Sequence, residues 1–252
     1  MAIDLSFVIL ALVAFLAGGF VKGTVGIGLP TVSLAILSTG MDLRAAVALM
    51  SLPAACTNLY QATQGGEFMG LLRRHWPLAL SSFIAVWFGT LILFSVDPLL
   101  LTGILGVTLC LYAVLALLTV PVRVPRHWEP VLGPLTGALT GVMTGATGSL
   151  ALPLMAYLDG LGLDKNRFVQ LTGIVASALT VPLAIGVAGR SMLAGTLSTA
   201  AVFVLVPAFT GLWFGQRVRA RLSDDRFRTL VLLSLLVLGA KLVDKGFLGD
   251  IL

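Results

Sequence analysis

Long uncharged apolar runs constrain this chain more than any other feature. Leu78 to Val96 and Leu99 to Val122 hold no Asp, Glu, Lys, Arg or His, and each is long enough to cross a hydrocarbon core of about 30 Å as a helix. The chain has 252 residues, 58% from the hydrophobic set and 11% charged, where soluble proteins carry about 25% charged residues. A soluble domain could not hide that much apolar surface. The reading is an all-α, polytopic integral membrane protein with no separate soluble domain. Met1 to Ala17 has Asp4 and no Lys or Arg ahead of an apolar run that leads into more of the same; it reads as a first membrane segment, not a cleavable leader.

Hydropathy places segments at 5–22, 24–38, 44–63, 76–96, 98–120, 131–146, 148–159, 168–188, 193–216 and 228–248. Five fall in each half, in the same order: a Gly-rich segment, a short one, then three longer ones. The division is a first transmembrane repeat at 1–120, a cytoplasmic linker at 121–130 and a second repeat at 131–252. Gly18 to Pro30 resembles Gly137 to Gly148 with Pro153 beyond it, and each is followed by an Asp and an Arg, Asp42 with Arg44 and Asp164 with Arg167. Chance is a poor explanation for an offset of roughly 120 residues maintained throughout.

Charge orients the repeats. The net charge of +5 lies in short loops between apolar runs, where it reports topology rather than nucleic-acid binding. Arg73 and Arg74, Arg123 and Arg126, and the run from Arg217 to Arg228 are the cytoplasmic candidates. An odd number of crossings per half puts all three inside and both termini outside, and makes the halves antiparallel. Inverted-topology repeats with a midplane site between them recur among secondary transporters. Arg190, Lys241 and Lys245 fall on the outer side and count against this threading.

Within lipid, Gly and Pro clusters are tolerated only where protein or a water-filled cavity covers the backbone. Gly23 to Pro30 and Gly141 to Pro153 occupy matching places, and interrupted segments in corresponding positions point to a transporter's site. The expectation is two short broken or re-entrant helices meeting near the midplane. Free N–H groups at the breaks would attract an anion, with Gly26, Gly28, Pro30 and Gly148 shaping the backbone and Thr24, Thr144, Thr147 and Ser149 adding hydroxyls. The alternative is close helix packing through small residues.

Lys22 stands in the first cluster; it either faces the substrate or snorkels to the interface. Asn58 and Gln61 share one face of an otherwise apolar helix, with Ser51 on the same side, and either line a cavity or tie helices together. Gln170, Ser177 and Thr180 form a comparable face in the second half. His75 and His127 read as loop residues at the interface. Cys56 and Cys110 read as packing residues. No catalytic residue, metal site or cofactor is expected: there is no Walker-type loop and no mid-membrane His/Glu zinc motif.

Several motifs in order then carry a family resemblance. G-F-V-K-G-x-x-G-x-G-L-P-T-V at Gly19 to Val32, T-N-x-x-Q-A at Thr57 to Ala62, L-L-R-R-x-W-P at Leu71 to Pro77, T-G-A-T-G at Thr144 to Gly148 and G-L-x-x-x-x-x-V-Q at Gly162 to Gln170 resemble the sulfite exporter TauE/SafE family of bacterial membrane permeases. The resemblance implies a transporter of small sulfur-containing anions, such as sulfite or organosulfonates, in the bacterial inner membrane. The second half has no counterpart to Lys22, Asn58 or Gln61, so the site is expected to be asymmetric.

The leading reading is a secondary exporter working by alternating access. Lys22 would supply charge, Thr24, Thr147, Ser149 and the break N–H groups hydrogen bonds, and Asn58, Gln61 and Gln170 the cavity wall. Its partners are a small anionic substrate, the lipid bilayer, and no nucleic acid; a proton as coupling ion and a homo-oligomer both stay open. An anion channel, a carrier of another organic anion and a non-transporting membrane scaffold are the rivals. An intramembrane enzyme is disfavoured because embedded acids, bases and nucleophiles are scarce.

Overall fold

The structure is a computed structural model that describes residues 5–118, 123–149, 153–190, 196–219 and 224–248. It is helical throughout, with no strand among those residues. The first half comprises α1 (Leu5–Val25), α2 (Leu29–Gly40), α3 (Leu43–Ala62), α4 (Phe68–Ser95) and α5 (Pro98–Leu117). A 3-10 turn at Arg126–Trp128 leads into α6 (Glu129–Thr147), α7 (Leu154–Gly160), α8 (Lys165–Ala188), α9 (Thr196–Phe203), α10 (Leu205–Arg219) and α11 (Asp224–Val243). Five stretches are long and apolar enough to cross a membrane: α1, α4, α5, α8 and the run Leu197–Val218 through α9 and α10. Exposed Leu12, Leu16, Ile84, Phe88, Val107 and Leu111 line outward faces, apolar surface that only a bilayer accommodates.

Three boundaries differ from the hydropathy reading, each for a local reason. α4 starts at Phe68, so Arg73 and Arg74 lie inside a helix rather than in a loop; charged residues lower hydropathy without breaking a helix. Pro77 offers no N–H to the Arg73 carbonyl, and the helix kinks at His75, which leaves helical geometry. That residue is buried, correcting its assignment to an interfacial loop. The segment at 193–216 divides into α9 and α10 at Val204, because Pro207 cannot donate to the Phe203 carbonyl. The first break is also shorter than expected: α1 runs through Lys22 and Gly23 to Val25. Asp4, the linker residues 121–122, the centre of the second break at 150–152 and the arginine loop at 220–223 lie outside the described residues.

Helix packing crosses the halves. α1 lies along α10 and α4 along α6, and both seams are backbone on backbone. A Cβ on Gly23 would overlap the Leu212 carbonyl oxygen and one on Gly215 that of Phe20; on the other seam a Cβ on Gly89 would overlap Val142 O and one on Gly145 that of Val86. Small residues let membrane helices approach this closely. Gly145 stands 122 positions after Gly23, and each lies in one of the two seams. α3 packs on α8 and α5 on α11. α3 and α8 form the centre, where Leu49, Met50, Leu171 and Leu179 are fully buried.

The same offset governs helix starts. Asp42 accepts hydrogen bonds from the Arg44 and Ala45 N–H groups, and Asp164 from those of Asn166 and Arg167. Each caps two of the orphan donors at its helix's N-terminus.

Contacts also sort the helix ends. At one end Arg74 pairs with Glu129 at 2.6 Å, Arg167 with Glu67 at 2.7 Å, and the Val124 N–H donates to Gly160 O at 2.8 Å. At the other, Arg44 donates to Leu93 O at 2.9 Å and Val96 O at 2.8 Å, Lys245 to Ser38 O at 2.6 Å, and Arg190 lies 4.5 Å from the Phe94 ring centroid. Arg44 and Lys245 satisfy the terminal carbonyls of α4 and α2, which favours a cation there. Thus Lys245, which opposed the charge-based threading, has a structural reason for its position.

Candidate functional site

The first break occupies three residues. Gly26 and Gly28 have φ of 91° and 124°, a region that favours glycine. The Gly26 N–H still reaches Lys22 O at 2.8 Å, and Gly28 caps α2 with Pro30 in the helix's first turn, where a missing N–H costs nothing. α2 then folds back along α1, held by Ser33 Oγ donating to Ala14 O at 3.0 Å.

One turn before this break, Lys22 is 2% exposed and points into the bundle. Its Nζ donates to Thr57 Oγ1 at 3.1 Å and to Asn58 Oδ1. Those acceptors are set by a second layer of bonds. Thr57 Oγ1 donates to Pro53 O at 2.8 Å, while Asn58 Nδ2 donates to Thr180 Oγ1 at 3.1 Å and to Ala176 O at 3.4 Å on α8. The amide is therefore oriented from α8 so that its oxygen faces the lysine. Asn58 and Thr180 are also 122 positions apart and meet where α3 crosses α8. α1, α3 and α8 thus converge on one buried, fully polar cluster around a single amine. Lys22 is thus held inside the bundle by two side chains of α3.

The other expected site residues have different partners. Gln61 Nε2 donates to Gly26 O at 2.7 Å and Val169 O at 2.9 Å, tying the break to α8. Gln170 donates to Ala62 O at 3.0 Å and accepts from the Glu67 N–H at 3.0 Å, fastening the end of α3. The threonines correct the expectation that they offer hydroxyl protons to the gap. Thr24 donates to Val21 O at 2.9 Å and Thr147 to Met143 O at 2.8 Å, both within their own helices, and Thr144 donates to Ser149 O at 3.0 Å across the second break. A Thr in a helix readily bonds the carbonyl one turn back. Gly148, with φ of 75°, ends α6. Buried Gln61 Oε1 and Ser149 Oγ have no hydrogen-bond partner among the described residues, positions suited to water or a ligand.

Among the described residues of the two breaks, Gly26 and Gly148 do not meet. Gly26 lies against Gln61 and Val169, whereas Gly148 lies against Leu34, Val47 and Met50. Gln61 and Val47 are fourteen residues apart on α3, about 20 Å at 1.5 Å per residue. The cluster around Lys22 and Asn58 lies between these heights, nearer to Gly26. Sequence reasoning missed Thr57; the signal available was its place beside Asn58 in the polar T-N pair.

A family model described as Sulfite exporter TauE/SafE matches residues 10–242. The chain belongs to the sulfite exporter TauE/SafE family. Membership makes it a multi-pass membrane protein of a transporter family, one whose members' description points to sulfur-containing anions. No curated protein and no solved structure matches it. The TauE/SafE match takes in Lys22, Thr57, Asn58 and Thr180 together with both breaks.

Proposed function

We propose that this TauE/SafE protein is a secondary exporter of small sulfur-containing anions, sulfite or an organosulfonate, working by alternating access. The observation that carries the reading is Lys22: a buried amine held by neutral oxygens at the junction of α1, α3 and α8. A buried cation lacking a counter-charge is costly, and a sulfonate or sulfite supplies the missing charge with three oxygens for donors. Asn58 and Thr57 position the amine; Gln61, Gln170 and the threonines of the breaks hold the surrounding backbone.

Two inverted repeats frame this site in the proposal. The exchange of partners, α1 with α10 and α6 with α4, and the meeting of α3 with α8 support it. So do the helix ends: α6 and α8 start at the end that carries Arg74 and Arg167, whereas α3 starts at the end where Arg44 bonds α4. By charge the first of these ends is cytoplasmic, both termini lie outside, and the bilayer is the bacterial inner membrane.

Counterflow of radiolabelled sulfite into proteoliposomes, competed with sulfonates, sulfate and carboxylates, tests the reading. Saturable exchange suppressed by one class establishes a carrier and its substrate group. Large conductive currents without counterflow would make the protein a channel. Lys22→Met should lower exchange by at least a hundredfold while the variant stays monodisperse in detergent; normal exchange would remove its role.

A further inference from the structure

The hydrogen bonds at Lys22 fit one protonation state better than the other. A neutral amine has two N–H donors and an ammonium three. Two acceptors meet Nζ among the described residues, Thr57 Oγ1 and Asn58 Oδ1. Both are committed to accepting: the Thr57 hydroxyl proton is directed at Pro53 O, and the Asn58 amide nitrogen is held by Thr180 and Ala176. The neutral form therefore has every donor met, and the charged form has one N–H left over.

Among the described residues, charges on the neighbouring elements do not fill that gap. α3 and α8 present neutral groups at this height: Thr57, Asn58 and Thr180. Their charged residues lie at helix starts: Arg44 bonds the α4 carbonyls, and beside Lys165 at the start of α8 Arg167 pairs with Asp164 and with Glu67, which precedes α4. On α10 the nearest described charge is Arg217, exposed and stacked 3.3 Å from the Trp213 ring centroid. α2 contributes no ionisable residue, and Lys245 beyond α11 bonds the far end of α2. The α1 carbonyl end beside Lys22 favours a cation only by its partial charge.

We propose that Lys22 is a proton carrier, so that each anion crosses with one proton. This rests on the transport reading above. The empty site holds the neutral amine. An anion and a proton then enter from the same side; the amine lone pair takes the proton, and the third N–H of the ammonium donates to an anion oxygen. The pair crosses without net charge when the anion is monovalent. On the far side the anion leaves, the proton returns to water, and the amine is restored.

The test uses the full chain in proteoliposomes holding a pH-sensitive dye, with radiolabelled methanesulfonate as probe because it brings no titratable proton. Should only sulfite exchange, the same vesicles are read with sulfite against a protein-free blank. The expected result is one proton per anion, at a rate that an imposed potassium diffusion potential does not change. Lys22→Arg, which keeps its charge, should move anion without protons and become sensitive to that potential. Asn58→Asp gives the amine a permanent carboxylate partner and should lower both anion and proton flux tenfold or more together. Anion flux without protons in the native protein, or proton flux retained in Lys22→Arg, overturns the coupling and leaves transport standing. Absence of exchange with either probe overturns the transport reading itself, and this inference with it.

Discussion

Asn58 is the residue whose neighbours do most to explain the site. Its nitrogen is bonded on α8 and its oxygen on α1, so one amide sets the spacing of three helices. Replacing it by Leu removes all three bonds and buries an alkyl group against the lysine; sulfite exchange should fall at least tenfold. Thr180→Val deletes one interhelical bond, worth about 0.6 kcal/mol in membranes, and should cost only about threefold in exchange and a small shift in thermal midpoint. Equal losses in the two variants would mean that Asn58 serves packing alone. Lys22 and Asn58 were readable because an ionisable or amide group in an apolar segment needs a partner. The directions of Thr24, Thr144 and Thr147 were not, since a hydroxyl can turn to its own helix as easily as to a ligand.

Segments and their order were legible at the scale of elements because an uncharged run of helical length has few alternatives in lipid. What hydropathy could not carry were α4's first two turns and the division of α9 from α10, which depend on charge at a helix start and on one proline. Gly23 and Gly145 read as break residues, yet each lies within a helix and serves a seam. Gly145→Val should leave little folded protein by size-exclusion profile, because the added carbons meet the α4 backbone. Gly70→Ala, in open space on α4, should be neutral. The capping pair offers a milder test: Asp42→Ala and Asp164→Ala should each destabilise by about 1 kcal/mol, with Asn at either place restoring most of it in a thermal melt.

Across the whole molecule the Gly-rich stretches and the Asp that follows each carry the expectation of a repeat, but the heights of Gly26 and Gly148 could not be read from them. Sequence equivalence does not say at what height two elements stand, and Gly26 and Gly148 lie at opposite reaches of α3. Orientation is open to direct measurement. In a background with Cys56 and Cys110 replaced by alanine, Arg190→Cys should react with an impermeant maleimide on intact spheroplasts, and Gln64→Cys and Arg126→Cys only after lysis. The reverse pattern would turn the molecule over while leaving the site unchanged.

The glycine seams bear on how such a molecule could move. Because α1 is joined to α10 and α6 to α4, neither half of the chain can swing as a body without parting two backbone contacts at once. The natural rigid units are the mixed pairs, each holding one helix from either half of the sequence. With α3 and α8 crossed between them, those pairs have a ready pivot at the Asn58–Thr180 contact, and a tilt about it would open one face of the bundle as it shuts the other.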